Sequence, residues 1–447
     1  MPPTETSPLL ENGNGNDELP LSFLQRVVKV SKAEGEPSWL DSYKYFFFGS
    51  WFNVLLVFVP LSIISHNLEW DAVLRFSFSF LAIVPLAKLL GEATDQLSVK
   101  LGQTLSGLLN ASFGNAVEII VGIAALLQDQ LVIVQTSMLG SILSNILLVL
   151  GCSFLAGGLK FPEGNFQVQG AQASASLMTL ACITLVIPAA YASTTAAGIK
   201  EQAECLVGDG RCPTTGLLFI SRGTAILLFL TYVAYLIFQL KTHKEYFITI
   251  EDGDEEPVAE MSTVAAGSSL LLVTVITSFC ADYLVASIEE TADRYNIPKP
   301  FIGLILLPIV ANAAEHVTSV WMAMKGKMEL TIGICVGSSI QIATFVIPLL
   351  VVIGWITGHP LTLQFANFET IVLSASVLLV TLLIMDGKSN YMEGLMLIVL
   401  YLVIAIAYKP AITPINASDR IHSTSIYRIY LFKLLVTRIA RGKKGLF

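Results

Sequence analysis

The chain is short of charge. Of its 447 residues only 13% are Asp, Glu, Lys or Arg, where ordinary soluble domains carry about 25%. That shortage excludes a freely solvated globular domain. A formal net charge of -8 and a pI near 5.2 argue against a nucleic-acid partner. Cysteine is sparse, and none of the residues form a zinc-type Cys-x-x-Cys pair. The sequence has no HExxH, no GxSxG and no phosphate-binding GxxxxGK[ST]. No catalytic residue and no cofactor is therefore expected, and without an ATP-binding cassette any transport would draw on an ion gradient. The first 44 residues hold no apolar leader.

What the chain does have is apolar length. Hydrophobic residues make up 54%, and the mean hydropathy is +0.70. They are gathered into blocks near the ~20 residues that cross a bilayer. The fold class expected is an all-α polytopic membrane protein with about 11 transmembrane helices. Residues 1–44 read as a disordered cytosolic tail and 45–66 as an extra helix. Residues 72–241 form one transmembrane unit and 262–409 another. Between them, 242–261 is an acidic cytosolic linker containing EDGDEEPVAE, and 410–447 is a basic tail.

Lysine and arginine orient the chain. With a cytosolic N-terminus, cytosolic loops hold Lys32, Lys44, Lys100, Lys160, Lys241, Lys325, Lys327 and Lys388 among others. The opposite loops hold only Lys200, Arg211, Arg294 and Lys299. The basic tail would prefer the cytosol, whereas an odd number of spans sends it across. An interfacial helix, or a count off by one, would reconcile the two. Cys205 and Cys212 share one extracytosolic loop, where a disulfide fits. Glu5-Thr6-Ser7-Pro8-Leu9-Leu10 matches an acidic dileucine sorting pattern.

The chain also repeats itself. Gly114-Asn115-Ala116-Val117-Glu118 and Ala311-Asn312-Ala313-Ala314-Glu315 stand 197 residues apart. The same offset pairs Glu92 with Glu289, Thr94 with Thr291, Gly140-Ser141 with Gly337-Ser338, and Ser144 with Gln341. One ungapped register through separate blocks marks two copies of a five-helix unit. Five is odd, so the second copy enters from the opposite face. Two inverted five-helix repeats plus an N-terminal extra helix place a substrate site near midplane between the copies.

Glu118 and Glu315 carry the chemistry. A carboxylate deep in an apolar span costs at least ~2.5 kcal/mol. No Arg or Lys stands in the spans that hold or follow them, so a structural salt bridge has no partner there. A cation between the two acids is the alternative. Asn115 and Asn312 lie three residues earlier on the same faces. Gly107, Gly114 and Pro308 favour interrupted helices, which free backbone carbonyls. Ser141, Ser144, Ser338 and Gln341 are further oxygen donors, although small residues between membrane helices are equally packing devices. Glu92, Glu289 and Glu290 lie near span ends, as gates or as solvated acids. His316 either tunes a proton path or packs. The donor set is hard oxygen throughout, which suits calcium.

At these motifs, GNAVEIIVGI from Gly114 and ANAAEHVTSV from Ala311, the chain resembles the cation/proton exchangers of the calcium/cation antiporter superfamily, particularly fungal vacuolar calcium/proton exchangers. The acidic segment between the halves is a further likeness, and Ala311 stands where that family usually has glycine. The resemblance implies that Glu118 and Glu315 bind calcium or protons in alternation. It implies an antiporter in a vacuolar membrane, with Ca2+ and H+ as substrates and the lipid bilayer as surroundings. A homo-oligomer is left open. Two other classes are a sodium-driven calcium exchanger of the same superfamily and a non-transport scaffold or receptor.

Overall fold

The computed structural model describes residues 37–194, 215–243 and 259–408. The dileucine pattern, Cys205 and Cys212, most of the acidic linker and the basic tail lie outside the described residues. What is described is almost wholly helical.

The chain opens with α1 (Trp39–Phe48), a 3-10 turn (Trp51–Val57) and α2 (Phe58–Asn67). The single helix expected over 45–66 is instead a broken pair, bent by 83°. The break falls at Gly49-Ser50. Asn53 explains its stability, because its Nδ2 donates to the carbonyls of Phe46 and Phe47 at 2.9 Å each. Those carbonyls are orphaned at a helix end and need partners.

Next come α3 (Ala72–Phe113), α4 (Ala116–Leu127), α5 (Leu131–Leu143) and α6 (Leu150–Lys160). A π turn, Ser144–Val149, joins α5 to α6. Then follow β1 (Gly164–Asn165), α7 (Val168–Thr194) and α8 (Thr215–Ile237). The second half begins with α9 (Thr263–Arg294). After α10 (Lys299–Phe301) a π turn, Ile302–Leu306, leads into α11 (Leu307–Ala311) and α12 (Ala313–Met324). A further π turn, Ile342–Val346, joins α13 (Met328–Gln341) to α14 (Ile347–Thr357). Last are α15 (Asn367–Leu383), β2 (Lys388–Ser389) and α16 (Tyr391–Ala407).

The helical run of α3 cannot be straight. Ser98 Oγ donates to Asn110 Oδ1 at 3.0 Å across 12 residues, where a straight helix would separate them by about 18 Å. The chain doubles back between them, as expected between a second and a third span.

Seven described helices are long and apolar enough to cross a membrane, or nine if each bent pair is one span. Two shorter apolar helices, Ala116–Leu127 and Tyr391–Ala407, complete the set. The expected count of about eleven requires both of these to cross as well. Large apolar side chains such as Phe219, Leu227, Leu271 and Ile406 face outward, as a lipid-facing surface does.

The repeat is visible in the backbone. The bounds of α4 and α12 are 197 residues apart at both ends, and so are those of the bent runs Leu131–Lys160 and Met328–Thr357. The copies are inverted. At one end of the bundle Arg75 Nη2 pairs with Glu290 Oε2 at 2.7 Å, and Arg294 pairs with Asp71. At the other end the N–H groups of Glu260 and Met261 donate to Gln96 Oε1 at 2.9 and 3.2 Å. So the part of α3 before the reversal packs antiparallel to α9. The second end also carries Lys160, whose Nζ donates to the Met324 carbonyl at 2.8 Å. Lys388 pairs there with Glu163 at 2.8 Å, beside the antiparallel register Gly164↔Ser389.

Candidate cation site

Both helix breaks fall on the motif asparagines. Asn115 (φ -110, ψ 35) separates α3 from α4. Asn312 (φ -88, ψ 11) separates α11 from α12, and the chain bends there by 57°. Glu118 and Glu315 therefore stand in the first turns of α4 and α12, where free N–H groups and the helix dipole favour negative charge. The two half-helices enter from opposite repeats. Glu118 lines a cavity with Pro308, Val310 and Ala311, the residues that lead into the break before Glu315.

Five of the polar side chains around them are joined by hydrogen bonds, and Asn312 is held separately. Asn115 Nδ2 donates to Gln341 Oε1 at 2.6 Å. Ser338 Oγ lies 2.7 Å from Asn115 Oδ1 and 3.0 Å from Glu315 Oε1. Asn145 Nδ2 donates to Ser338 Oγ at 3.0 Å. Asn312 Nδ2 donates to the Ser141 carbonyl at 3.3 Å. Asn115, Asn312, Asn145, Ser141, Ser338 and Glu118 are all less than 9% exposed.

This network has more acceptors than protons. Ser338 has one hydroxyl proton for two oxygens within reach. Among the described residues, Asn145 Oδ1, Asn312 Oδ1 and Glu315 Oε2 are buried with no hydrogen-bond partner. A buried, unpaired acceptor costs about 1–3 kcal/mol, so three in one place call for a cation or for protons. Among the described residues no three His, Cys, Asp or Glu side chains gather. The set is two carboxylates with amide and hydroxyl oxygens, which is hard-cation chemistry. Glu118 looks into a cavity lined by Ser137, Met138, Ser141, Leu284 and Pro308.

Other expected residues lie elsewhere. Ser144 is buried at the start of the π turn. Glu289 pairs with Lys299 at 2.5 Å and Glu290 with Arg75, both at one end of the bundle. Glu92 sits at the other end, accepting from Tyr45 Oη at 2.7 Å, with Lys88 at 3.7 Å. His316 is half-buried beside Glu315 without joining the network. Asn145 is the residue that sequence reasoning missed. Its counterpart in the offset is the apolar Ile342, so the repeat gave no signal, although Asn145 shares a helix face with Ser141.

The two halves are not in the same conformation. Gly140 packs so tightly on the second repeat that an added Cβ would lie 2.6 Å from Pro308 Cγ and 2.8 Å from the Leu304 carbonyl carbon. Its repeat partner Gly337 has no described atom within 4 Å of that position.

Two inverted half-helix motifs, each with a buried carboxylate beside an acceptor-rich midplane, define a secondary ion-exchanger fold. The chain belongs to the sodium/calcium exchanger protein family, whose profile matches residues 71–241 and 266–408. The vacuolar calcium ion transporter of Schizosaccharomyces pombe is 44% identical over 360 residues, covering 80% of this chain and 84% of that one. The Ca2+/H+ antiporter of Aphanothece halophytica is 40% identical over 367 residues, covering 79% and 95%. Among solved structures, native YfkE matches with a TM-score of 0.67 at 33% identity over 80% of this chain and 99% of its own.

Proposed function

We propose that the chain is an antiporter that exchanges calcium for protons, with both ions competing for Glu118 and Glu315. The observation that carries this is the acceptor excess: among the described residues Asn145 Oδ1, Asn312 Oδ1 and Glu315 Oε2 are buried without partners, and Glu118 lines a cavity with Ser141, whose carbonyl Asn312 holds. Calcium accepts about 6–8 oxygens at flexible geometry. Glu118, Glu315, Asn115, Asn312, Asn145, Ser338 and Gln341 supply side-chain oxygens, and the chain breaks at Asn115 and Asn312 add carbonyls.

Competition provides the coupling. Protonating a ligand carboxylate removes the charge that calcium requires, and calcium binding displaces the proton. An empty pair of buried carboxylates is costly, so the site changes sides loaded with one ion or the other. The Lys160–Lys388 end faces the cytosol, following the lysine bias, and the other end faces an acidic vacuolar lumen. The names of the relatives support the vacuolar setting and the proton as driving ion.

The test is uptake into proteoliposomes under an imposed pH gradient or an imposed sodium gradient. Calcium uptake that follows the pH gradient supports the proposal. Uptake that needs sodium favours a sodium-driven exchanger, and absent flux favours a non-transport role.

A further inference from the structure

One end of the bundle is held shut by a set of contacts on α9. Gln128 Nε2 donates to Asp282 Oδ1 at 2.5 Å and to the Asp282 carbonyl at 3.1 Å. Gln130 Nε2 approaches Glu289 Oε2 at 3.5 Å, and Lys299 pairs with Glu289 Oε1 at 2.5 Å. Behind them Gly140 seats on Leu304, and Gly303 on Thr136. The loop between α4 and α5 is thus tied to the end of α9.

At the other end the repeat supplies some of these parts, although Asp282 maps to Pro85 and Lys299 to Gly102. The 197-residue offset carries Glu289 to Glu92, Gln130 to Lys327, Gly140 to Gly337 and Thr136 to Gly333. There the parts are apart. No described atom lies within 4 Å of a Cβ built on Gly333 or Gly337. Glu92 is turned to Tyr45 and Lys88 instead. Inverted repeats reverse their access when each half adopts the other's conformation. The contact that Gln130 makes with Glu289 must then reappear between Lys327 and Glu92.

We propose that Lys327 is the partner of Glu92 in the opposite-facing state, where the pair holds the Lys160–Lys388 end closed. Both are positioning residues for the exchange, remote from the bound ion. The ammonium replaces an amide, which makes this contact an ion pair where its counterpart has one charged partner. It forms only after Glu92 leaves Tyr45. The inference deepens the exchange reading and rests on it.

Cross-linking tests it in a chain whose native cysteines are replaced by serine, reconstituted in liposomes. Gln130→Cys with Glu289→Cys should cross-link in the state described here, which also shows that the background folds. Glu92→Cys with Lys327→Cys should cross-link too, the two cross-links should exclude each other, and reduction should restore calcium uptake. Independently, Glu92→Lys and Lys327→Glu should each lower uptake about fivefold, and the double reversal should recover most of it. The proposal fails if the Glu92/Lys327 pair stays uncross-linked while the Gln130/Glu289 pair forms. It fails also if the double reversal is no better than the singles. The cross-link is read on a gel whatever ion drives transport. A parent indifferent to the pH gradient would therefore sink the exchange reading and leave this one to be decided separately.

Discussion

Asn115 Nδ2 donates to Gln341 Oε1 at 2.6 Å, and this bond joins the first motif of one repeat to the second motif of the other. The site is therefore a product of both halves. The second half joins Ser338 to Glu315, and the amides that bond Ser338 come from the first half.

Glu118→Gln and Glu315→Gln should each abolish pH-driven calcium uptake. Glutamine keeps the shape and removes the charge and the titrating proton. Size-exclusion profiles should match the parent, because an amide is cheaper to bury than a carboxylate. Near-normal uptake in either variant contradicts a shared site.

Asn145→Ala should raise the apparent calcium dissociation constant about tenfold, the effect of losing one oxygen ligand worth roughly 1.4 kcal/mol. The pH dependence should survive, since Asn145 carries no titrating proton. Uptake measured against calcium concentration at several pH values separates the two effects.

Gly140→Ala and Gly337→Ala should differ although the residues are repeat mates. The first places a methyl against Leu304 and Pro308, and overpacking costs about 1–3 kcal/mol. Thermal unfolding should shift down for Gly140→Ala and stay near the parent for Gly337→Ala. Calcium uptake should fall in both, because Gly337 must pack tightly once the opposite end closes.

Asp71 caps α3 and pairs with Arg294. The Val73 N–H, then the Arg294 guanidinium, hold its carboxyl below the usual carboxylate range. A depressed folded-state pKa contributes stability above the unfolded value of about 3.9, and that stability is lost as pH falls further. Asp71→Asn should therefore lower the unfolding temperature slightly at neutral pH. The difference from the parent should shrink as pH falls below about 4 and vanish once the pH passes below the depressed folded-state value.

Much of this was legible in the residues, for physical reasons. Glu118 and Glu315 stand out because apolar spans make an acid conspicuous, and the 197-residue register pairs them. Asn115 and Asn312 were placed beside them by helix spacing. Asn145 was invisible because its repeat mate is Ile342. The π turns at Ser144–Val149 and Ile342–Val346 have no compositional mark. The break at Gly49 depends on Asn53 reaching back to Phe46 and Phe47, a tertiary contact within an otherwise continuous apolar block. Glu92 and Glu289 share one register position, yet they meet different partners, because Tyr45 lies outside the repeat and Lys299 maps to Gly102.

The central claim is that calcium and protons compete for one pair of carboxylates. The most direct measurement is the apparent calcium affinity at the Lys160–Lys388 end, as external pH is lowered with the opposite side held constant. Each proton that calcium must displace should weaken the affinity by up to about tenfold per pH unit, and a coupled pair reports both acids together. Glu118→Gln should flatten that slope in residual binding. A calcium affinity independent of pH in the parent would mean that protons travel elsewhere, and the shared-site account would be wrong.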